Sequence, residues 1–359
     1  MATLAALIGP VSFATDHRAV SVHLNAIFDL PTPGAAVALA WSPDSSALAA
    51  ASHYGDYLTV WDKNGKRLGQ IKRQGGGPTV WGAITFLEGA RFIAFPPPDE
   101  ATKAAGLSVW EVATGKIVKT INGPQPDGDY QLNRAQHFTT SSDQSFLVAA
   151  TGGNRGSRGL EKNLIVYETA RWSPLFTKNV PQGISSLCIF GVGEKIAVGT
   201  LVSGSLLVMD ARSGAITNDI EVFKESPFGT SSLSIACSPD GTSVFAGVRA
   251  AVLNGAPSSQ QRTWLDSLPV AQVFNVKSAT QVAQLSGAQA PIRQAQWDPK
   301  NRFVAFVDNA AGLFLWSPWP DGESKRINLP SASLSLAISP DGQRIAVTTD
   351  HGVRVYSIN

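Results

Sequence analysis

One short pattern returns along the whole chain. WSPDSSALAAAS (41–52) comes back as CSPDGTSVFAGV (237–248) and ISPDGQRIAVTT (338–349), and in variant form as WDPKNRFVAFVD (297–308). Looser copies are FLEGARFIAF (86–95), TSSDQSFLVAAT (140–151) and FGVGEKIAVGT (190–200). Each copy sets an apolar residue before a turn rich in Pro, Asp and Gly, then a run of small or alternating apolar residues. That is a strand, a tight turn and a second strand, the turn residues supplying the dihedrals that other residues resist. A unit recurring at near-constant interval cannot bury its own apolar face and must stack on its neighbours.

A third run follows each pair: YLTVWD (57–62), LSVWEV (107–112), LIVYET (164–169), LLVMDA (206–211), AQVFNV (271–276), LFLWSP (313–318) and VRVYSI (353–358). Trp61, Trp110, Tyr167, Phe274, Trp316 and Tyr356 hold one position in this run, and Met209 takes it in the fourth unit. A short turn and a fourth run come next: KRLGQI, GKIVKT, SPLFTK, GAITND, ATQVAQL and SKRINL. The turns begin near residues 41, 86, 140, 190, 237, 297 and 338, at intervals of 45, 54, 50, 47, 60 and 41 residues. Four strands per unit at about 40–50 residues is the signature of a β-propeller. The expected fold is all-β, a seven-bladed β-propeller of four-stranded antiparallel blades. Approximate blade limits are 35–75, 76–125, 132–181, 182–224, 229–286, 289–329 and 330–359. The seventh unit lacks its own fourth strand, and an open edge there would leave backbone groups unpaired. HRAVSVHLNAIF (17–28) reads as a spare strand, so residues 17–34 are expected to pair with VRVYSI and close the ring.

The Ser-Pro-Asp turns, Trp61-Asp62, and Asp56 five residues before Trp61 resemble the WD-repeat propellers. The resemblance runs over residues 17–359 and departs from the family in detail. No Gly-His pair precedes a blade, so the family's Asp–His–Ser/Thr–Trp network is not assembled, and only the first blade ends in Trp-Asp. The chain is similar to a divergent, bacterial-type WD-repeat propeller, which implies the fold and, by analogy, a binding role.

Composition excludes several classes. A net charge of +2 is too mild for nucleic acid or a membrane surface. No apolar run reaches the roughly 20 residues of a membrane-spanning helix. Cys188 and Cys237 are the two cysteines, too few for a disulfide framework or a metal knuckle, and each reads as a small buried hydrophobe on the innermost strand of its blade. MATLAALIGPVSFAT has the apolar and small-residue parts of a signal peptide without a basic start. A cytoplasmic location is therefore expected, with the periplasm or exterior as the alternative should residues 1–15 be a leader.

Catalytic motifs are missing: there is no G-x-S-x-G elbow, Walker loop, G-x-G-x-x-G or HExxH. The histidines His17, His23, His53, His137 and His351 fall in different units. His53 and His351 share one loop type in adjacent blades and could approach with Asp56 or Asp350, but solvated loop histidines are the expected reading and no metal is called for. Asp44, Asp240 and Asp341 lie a blade or more apart and are expected to cap their own turns. The aromatic ladder of the third strands is expected to pack between blades. No cofactor is implied.

What departs from the repeat points to function, because loops carry sites and blades hold them. The loop between the second and third strands is short in blades one, four, six and seven. It is long in blade two (96–106), blade three (152–163) and blade five (249–270). Two blade connections, 72–81 and 122–134, are also long. Strand polarity places all five elaborations on one mildly basic face. The candidate binding residues there are Arg73, Trp81, Tyr130, Arg134, Arg155, Arg158, Arg249, Arg262, Trp264 and Arg293. Arginines among glycines, as in GGNRGSRG, can cradle an anion, and the aromatics can anchor an interface. The expected function is non-enzymatic binding of a partner protein or acidic peptide. The rival, a lactonase- or quinoprotein-type enzyme working at the channel mouth, would need carboxylates and histidines converging on the innermost strands, which instead hold mostly Ala, Ser, Leu and Trp.

Overall fold

The structure, a computed structural model, describes residues 22–52, 57–72, 84–95, 105–122, 137–150, 163–191, 193–201, 203–223, 230–252, 271–285, 291–319 and 322–359. Its first strand, β1 (Leu24–Pro31), is set aside by the chain for the end of the ring. Blade one follows as β2 (Ala36–Trp41), β3 (Ala47–Ser52), β4 (Tyr57–Asp62) and β5 (Arg67–Lys72). Blade two is β6 (Thr85–Leu87), β7 (Phe92–Phe95), β8 (Ala105–Glu111) and β9 (Lys116–Asn122). Blade three is β10 (His137–Thr140), β11 (Phe146–Ala150), β12 (Leu164–Glu168) and β13 (Ser173–Lys178). Blade four is β14 (Ile184–Phe190), β15 (Lys195–Thr200), β16 (Ser205–Asp210) and β17 (Ile216–Glu221). Blade five is β18 (Thr230–Cys237), β19 (Ser243–Val252), β20 (Ala271–Asn275) and β21 (Thr280–Leu285). Blade six is β22 (Ile292–Trp297), β23 (Val304–Asp308), β24 (Gly312–Trp316) and β25 (Ser324–Asn328). Blade seven takes β26 (Leu336–Ile338), β27 (Arg344–Thr349) and β28 (Gly352–Ile358) from the chain's end and β1 from its beginning. The result is a seven-bladed β-propeller of four-stranded antiparallel sheets.

The closing strand pairs with β28 as the missing edge required, with Leu24 opposite Ile358 and Pro31 opposite Gly352. Within the described residues it runs from Leu24, and residues 17–21 of the expected closing segment lie outside them. Just beyond the strand, His23 and Asn359 exchange backbone hydrogen bonds at 3.1 and 2.9 Å.

Burial peaks in the second and third strands and is lowest in the fourth, and composition follows it. Second strands such as ALAAAS and VAFVD are buried along their whole length because a blade packs on each face. Fourth strands such as SPLFTK are largely exposed. The core is divided into seven clusters, one per interface between blades, and the third-strand ladder points into them. Trp61 packs with Ala337, Ala346 and Val353 of blade seven. Trp110 meets Ala49 and Val60 of blade one. Tyr356 meets Leu313 and Leu315 of blade six. Met209, flexible enough to fill the place of a ring, packs with Phe146 and Val166 of blade three.

The turn between first and second strands repeats one hydrogen-bond design. In Asp44, Asp143, Asp240 and Asp341, Oδ1 accepts from the serine hydroxyl two residues earlier, at 2.6 Å each time. The same oxygen accepts the backbone N–H two residues on, at 2.9–3.0 Å. These aspartates cap their own turns. Burial opposes ionisation of Asp240, but hydrogen bonds from Ser238, Thr242 and Asn301 outweigh it and hold the carboxyl below its usual range. The residue after each Asp is left-handed, which Gly241 and Gly342 accept freely and Ser45 and Gln144 adopt at φ 59° and 60°. Neighbouring turns are then bonded to one another. Asn301 donates to Asp240 Oδ2 at 2.8 Å, Asp341 N–H to Ser45 Oγ at 3.0 Å, and Ser142 Oγ to the Gly191 carbonyl at 2.8 Å.

Innermost strands are sheet edges, and side chains of the preceding blade bond to them. Gln296 Oε1 accepts the Ile338 N–H at 2.8 Å and Gln294 Oε1 the Leu336 N–H at 3.3 Å. Ser185 and Ser186 donate to the Leu233 carbonyl, both at 2.8 Å. Between the same two blades lies a correction to the sequence reading. Cys188 on β14 and Cys237 on β18 are not buried thiols but a disulfide, their Cα atoms 5.6 Å apart. Both are half-buried. The ring sets innermost strands side by side, so two cysteines one blade period apart come within bonding reach.

Candidate binding face

In every blade the second strand ends, the third begins and the fourth ends on one side of the disc, where the next blade's first strand begins. The strand ends flanking residues 73–83, 96–104, 123–136, 151–162, 224–229, 253–270 and 286–290 therefore share that face. The capped turns occupy the other.

Of the candidate residues, Arg73, Trp81, Tyr130, Arg134, Arg155, Arg158, Arg262 and Trp264 lie outside the described residues. Arg249 and Arg293 are on strands, and each is the extra residue of a β-bulge. The β18–β19 pairing steps from Ala250 to Val248, passing over Arg249. The β22–β23 pairing steps from Ile292 to Gln294, passing over Arg293. Val37 and Ser185 occupy the matching bulge in blades one and four. A bulge bends the strand, so the innermost strands of blades one, four and six share an irregularity near their start that strand alternation does not reveal. Arg293 is half-buried there.

Other described groups share this face. His137 begins β10, and Lys72, which ends β5, sets its ammonium 6.0 Å from the centre of the Tyr57 ring. Lys72 opens the long connection 72–81, and Tyr57 begins the run YLTVWD. His351 is exposed in the turn before β28, and His53 of the same loop type in blade one lies outside the described residues. Among the described residues, no three His, Cys, Asp or Glu side chains gather in a metal-binding group. No helix of the described residues is long and apolar enough to cross a membrane.

Where the loop between second and third strands is short, a polar residue ends the second strand, and in blades four and six it ties the loop down. Asp308, itself buried, accepts the N–H groups of Ala310 and Gly312 at 2.9 and 2.6 Å. Thr200 Oγ1 accepts from Ser205 N–H at 2.9 Å. Blades two, three and five end the same strand with Phe95, Ala150 and Val252, which offer no such tie. A sequence signal thus marks which blades are elaborated. No protein-family model matches the chain, and neither does any curated protein.

Proposed function

We propose that this propeller is a non-enzymatic binding or scaffold protein, a divergent relative of the WD-repeat propellers, that recognises a partner protein or acidic peptide on its loop-bearing face. The observation that carries this reading is the contrast between the two faces. One carries short turns whose aspartates and serines are hydrogen-bonded within and between blades. The other is where the strand ends that flank the long departures from the repeat lie. A rigid disc that keeps one side constant and varies the other is suited to holding recognition loops.

The Cys188–Cys237 bond supports placing this function in an oxidising compartment, outside the cytosol, because cytosolic thiols are kept reduced. The test is affinity capture from the source cell with the native protein beside a variant with Arg134, Arg155, Arg158 and Arg262 replaced by Ala. A partner held by the native protein and lost by the folded variant supports the reading. A partner held equally by both removes the basic face from it. Turnover of a lactone or alcohol by the purified protein would replace it with the enzymatic alternative.

A further inference from the structure

Six of the seven outermost strands are broken by a bulge. Pairing with the third strand passes over Ile27 in β1, Leu68 in β5, Val118 in β9, Leu175 in β13, Thr217 in β17 and Val282 in β21. Five of these are large apolar residues held out in solvent, with 39–52% of their surface exposed. Their position on a bulge interrupts the row of backbone groups that another strand would need. The outermost strand of blade six, β25, is the exception. It runs in unbroken register from Ser324 opposite Trp316 to Asn328 opposite Gly312.

Hydrogen-bond phase shows which groups this edge offers. Ser317 N–H donates to the Glu323 carbonyl at 3.0 Å and Leu329 N–H to the Ala311 carbonyl at 2.8 Å. Alternation in an antiparallel ladder then turns the backbone of Lys325 and Ile327 inward, to β24, and that of Ser324, Arg326 and Asn328 outward. Among the described residues no strand pairs with this edge, and it is basic, the Lys325 ammonium donating to the Val22 carbonyl at 3.2 Å. Lys325 and Arg326 are exposed on it, and Glu323, just before it, is the acidic neighbour. The Arg326 guanidinium is braced against Asn328 and donates to the Ala310 carbonyl at 3.0 Å. A cavity of about 270 Å³ opens at the start of the strand, lined by Val22, Phe303 and Leu315 together with the polar Arg302, Ser317, Glu323 and Lys325.

We propose that the outer edge of blade six is a strand-addition site for an extended segment of a partner protein that carries adjacent carboxylates. The backbone of Ser324, Arg326 and Asn328 would extend the sheet, and Arg326 and Lys325 would face the two carboxylates from opposite sides of it. Charge decides against a second copy of this chain as occupant. Antiparallel self-pairing centred on β25 sets Arg326 against Arg326, and like charges directly opposite are destabilising. The site is independent of the loop-bearing face.

The test uses the full chain and a fluorescein-labelled, end-capped peptide, TVTEEVTV, with TVTKKVTV as its counterpart, read by anisotropy and by hydrogen exchange. Saturable binding of the acidic peptide, with new protection at residues 324–328, is expected. Arg326→Pro removes an outward N–H without breaking an internal ladder bond and should weaken binding at least about tenfold, with the melting curve of the native protein. The charge-reversed pair Lys325→Glu and Arg326→Glu should exchange the preference, taking the lysine peptide instead. Equal binding of both peptides, binding unaffected by Arg326→Pro, protection confined to other blades, or no saturation by about 1 mM would each overturn the proposal. So would a concentration-dependent dimer that Arg326→Pro abolishes, which would assign the edge to self-association. The four-arginine variant of the loop-bearing face should bind the acidic peptide normally, so failure of either site is read separately.

Discussion

Arg354 grips Asp29 across the joint where the two ends of the ring meet, Nε to Oδ1 at 2.6 Å and Nη2 to Oδ2 at 2.8 Å. The two are direct cross-strand partners, and the guanidinium's hydrogen bonds hold the Asp29 carboxyl below its usual range. A depressed folded value means the stabilisation is fully present above the ordinary carboxylate pKa of about 3.9 and is lost as pH falls through the lower folded value. Both side chains are partly solvated, which limits the coupling to about 0.5–1 kcal/mol. A double-mutant cycle of Asp29→Asn and Arg354→Ala, followed by thermal melting at neutral pH, should return that coupling, and 1 M salt should erase most of it. Zero coupling at low salt would leave closure to the backbone ladder alone.

The disulfide should be complete in the native protein. Alkylation of the unfolded chain should modify neither cysteine before reduction and both after it. Reduction, or Cys188→Ser with Cys237→Ser, should lower stability by up to about 4 kcal/mol, the value for closing a loop of this length. Two reactive thiols in protein prepared from an oxidising compartment would contradict both the bond and the proposed location.

Gln296→Ala leaves the Ile338 N–H, on a buried residue, without its 2.8 Å acceptor. The expected loss is about 1–2 kcal/mol, with faster amide exchange at Ile338. Gln296→Glu keeps an acceptor oxygen and should restore most of the protection. Equal exchange in all three proteins would show that the blade six–seven contact is held by its apolar cluster alone.

Burial pushes the Tyr167 hydroxyl up to about 12, against an ordinary value of about 10. Since the folded value is raised, the folded state favours the neutral phenol. The stability this contributes is full below about pH 10 and falls as pH rises from there toward 12. Ultraviolet titration should find one tyrosine ionising last, and Tyr167→Phe should remove that step while shifting alkaline unfolding upward. A late step that survives in Tyr167→Phe would move the assignment elsewhere, Tyr356 being the next to test because burial raises it too.

The repeat could be read directly because each strand of a propeller does the same physical job in every blade. Small residues at Ala49 and Ala50 are demanded by packing on both faces, and Trp61 or Tyr356 by the wedge between blades. Asp44 and Asp240 were legible as caps for the same reason. Features that arise between blades were harder to see. Cys188 and Cys237 stand one blade period apart, yet each alone resembles any small hydrophobe. Gln294 and Gln296 look like solvent-facing residues until the neighbouring strand's N–H groups are set beside them. At the candidate site, the choice of face followed from strand polarity, while the geometry did not. Arg249 and Arg293 sit on bulges, which shift phase by one residue and leave no mark on an alternating pattern. Arg155 and Arg262 belong to segments without a repeat, where no periodic signal exists to place them.

Mechanically, a circular disc joined at a single place is a zip with two sliders. Pulled from its ends, the ring would separate at β1 and β28 and shed blades from both sides. The covalent tie between β14 and β18 is a stop that such peeling cannot pass. Whatever load the outer blades meet, blades four and five remain linked as a pair from which the rest can rewind.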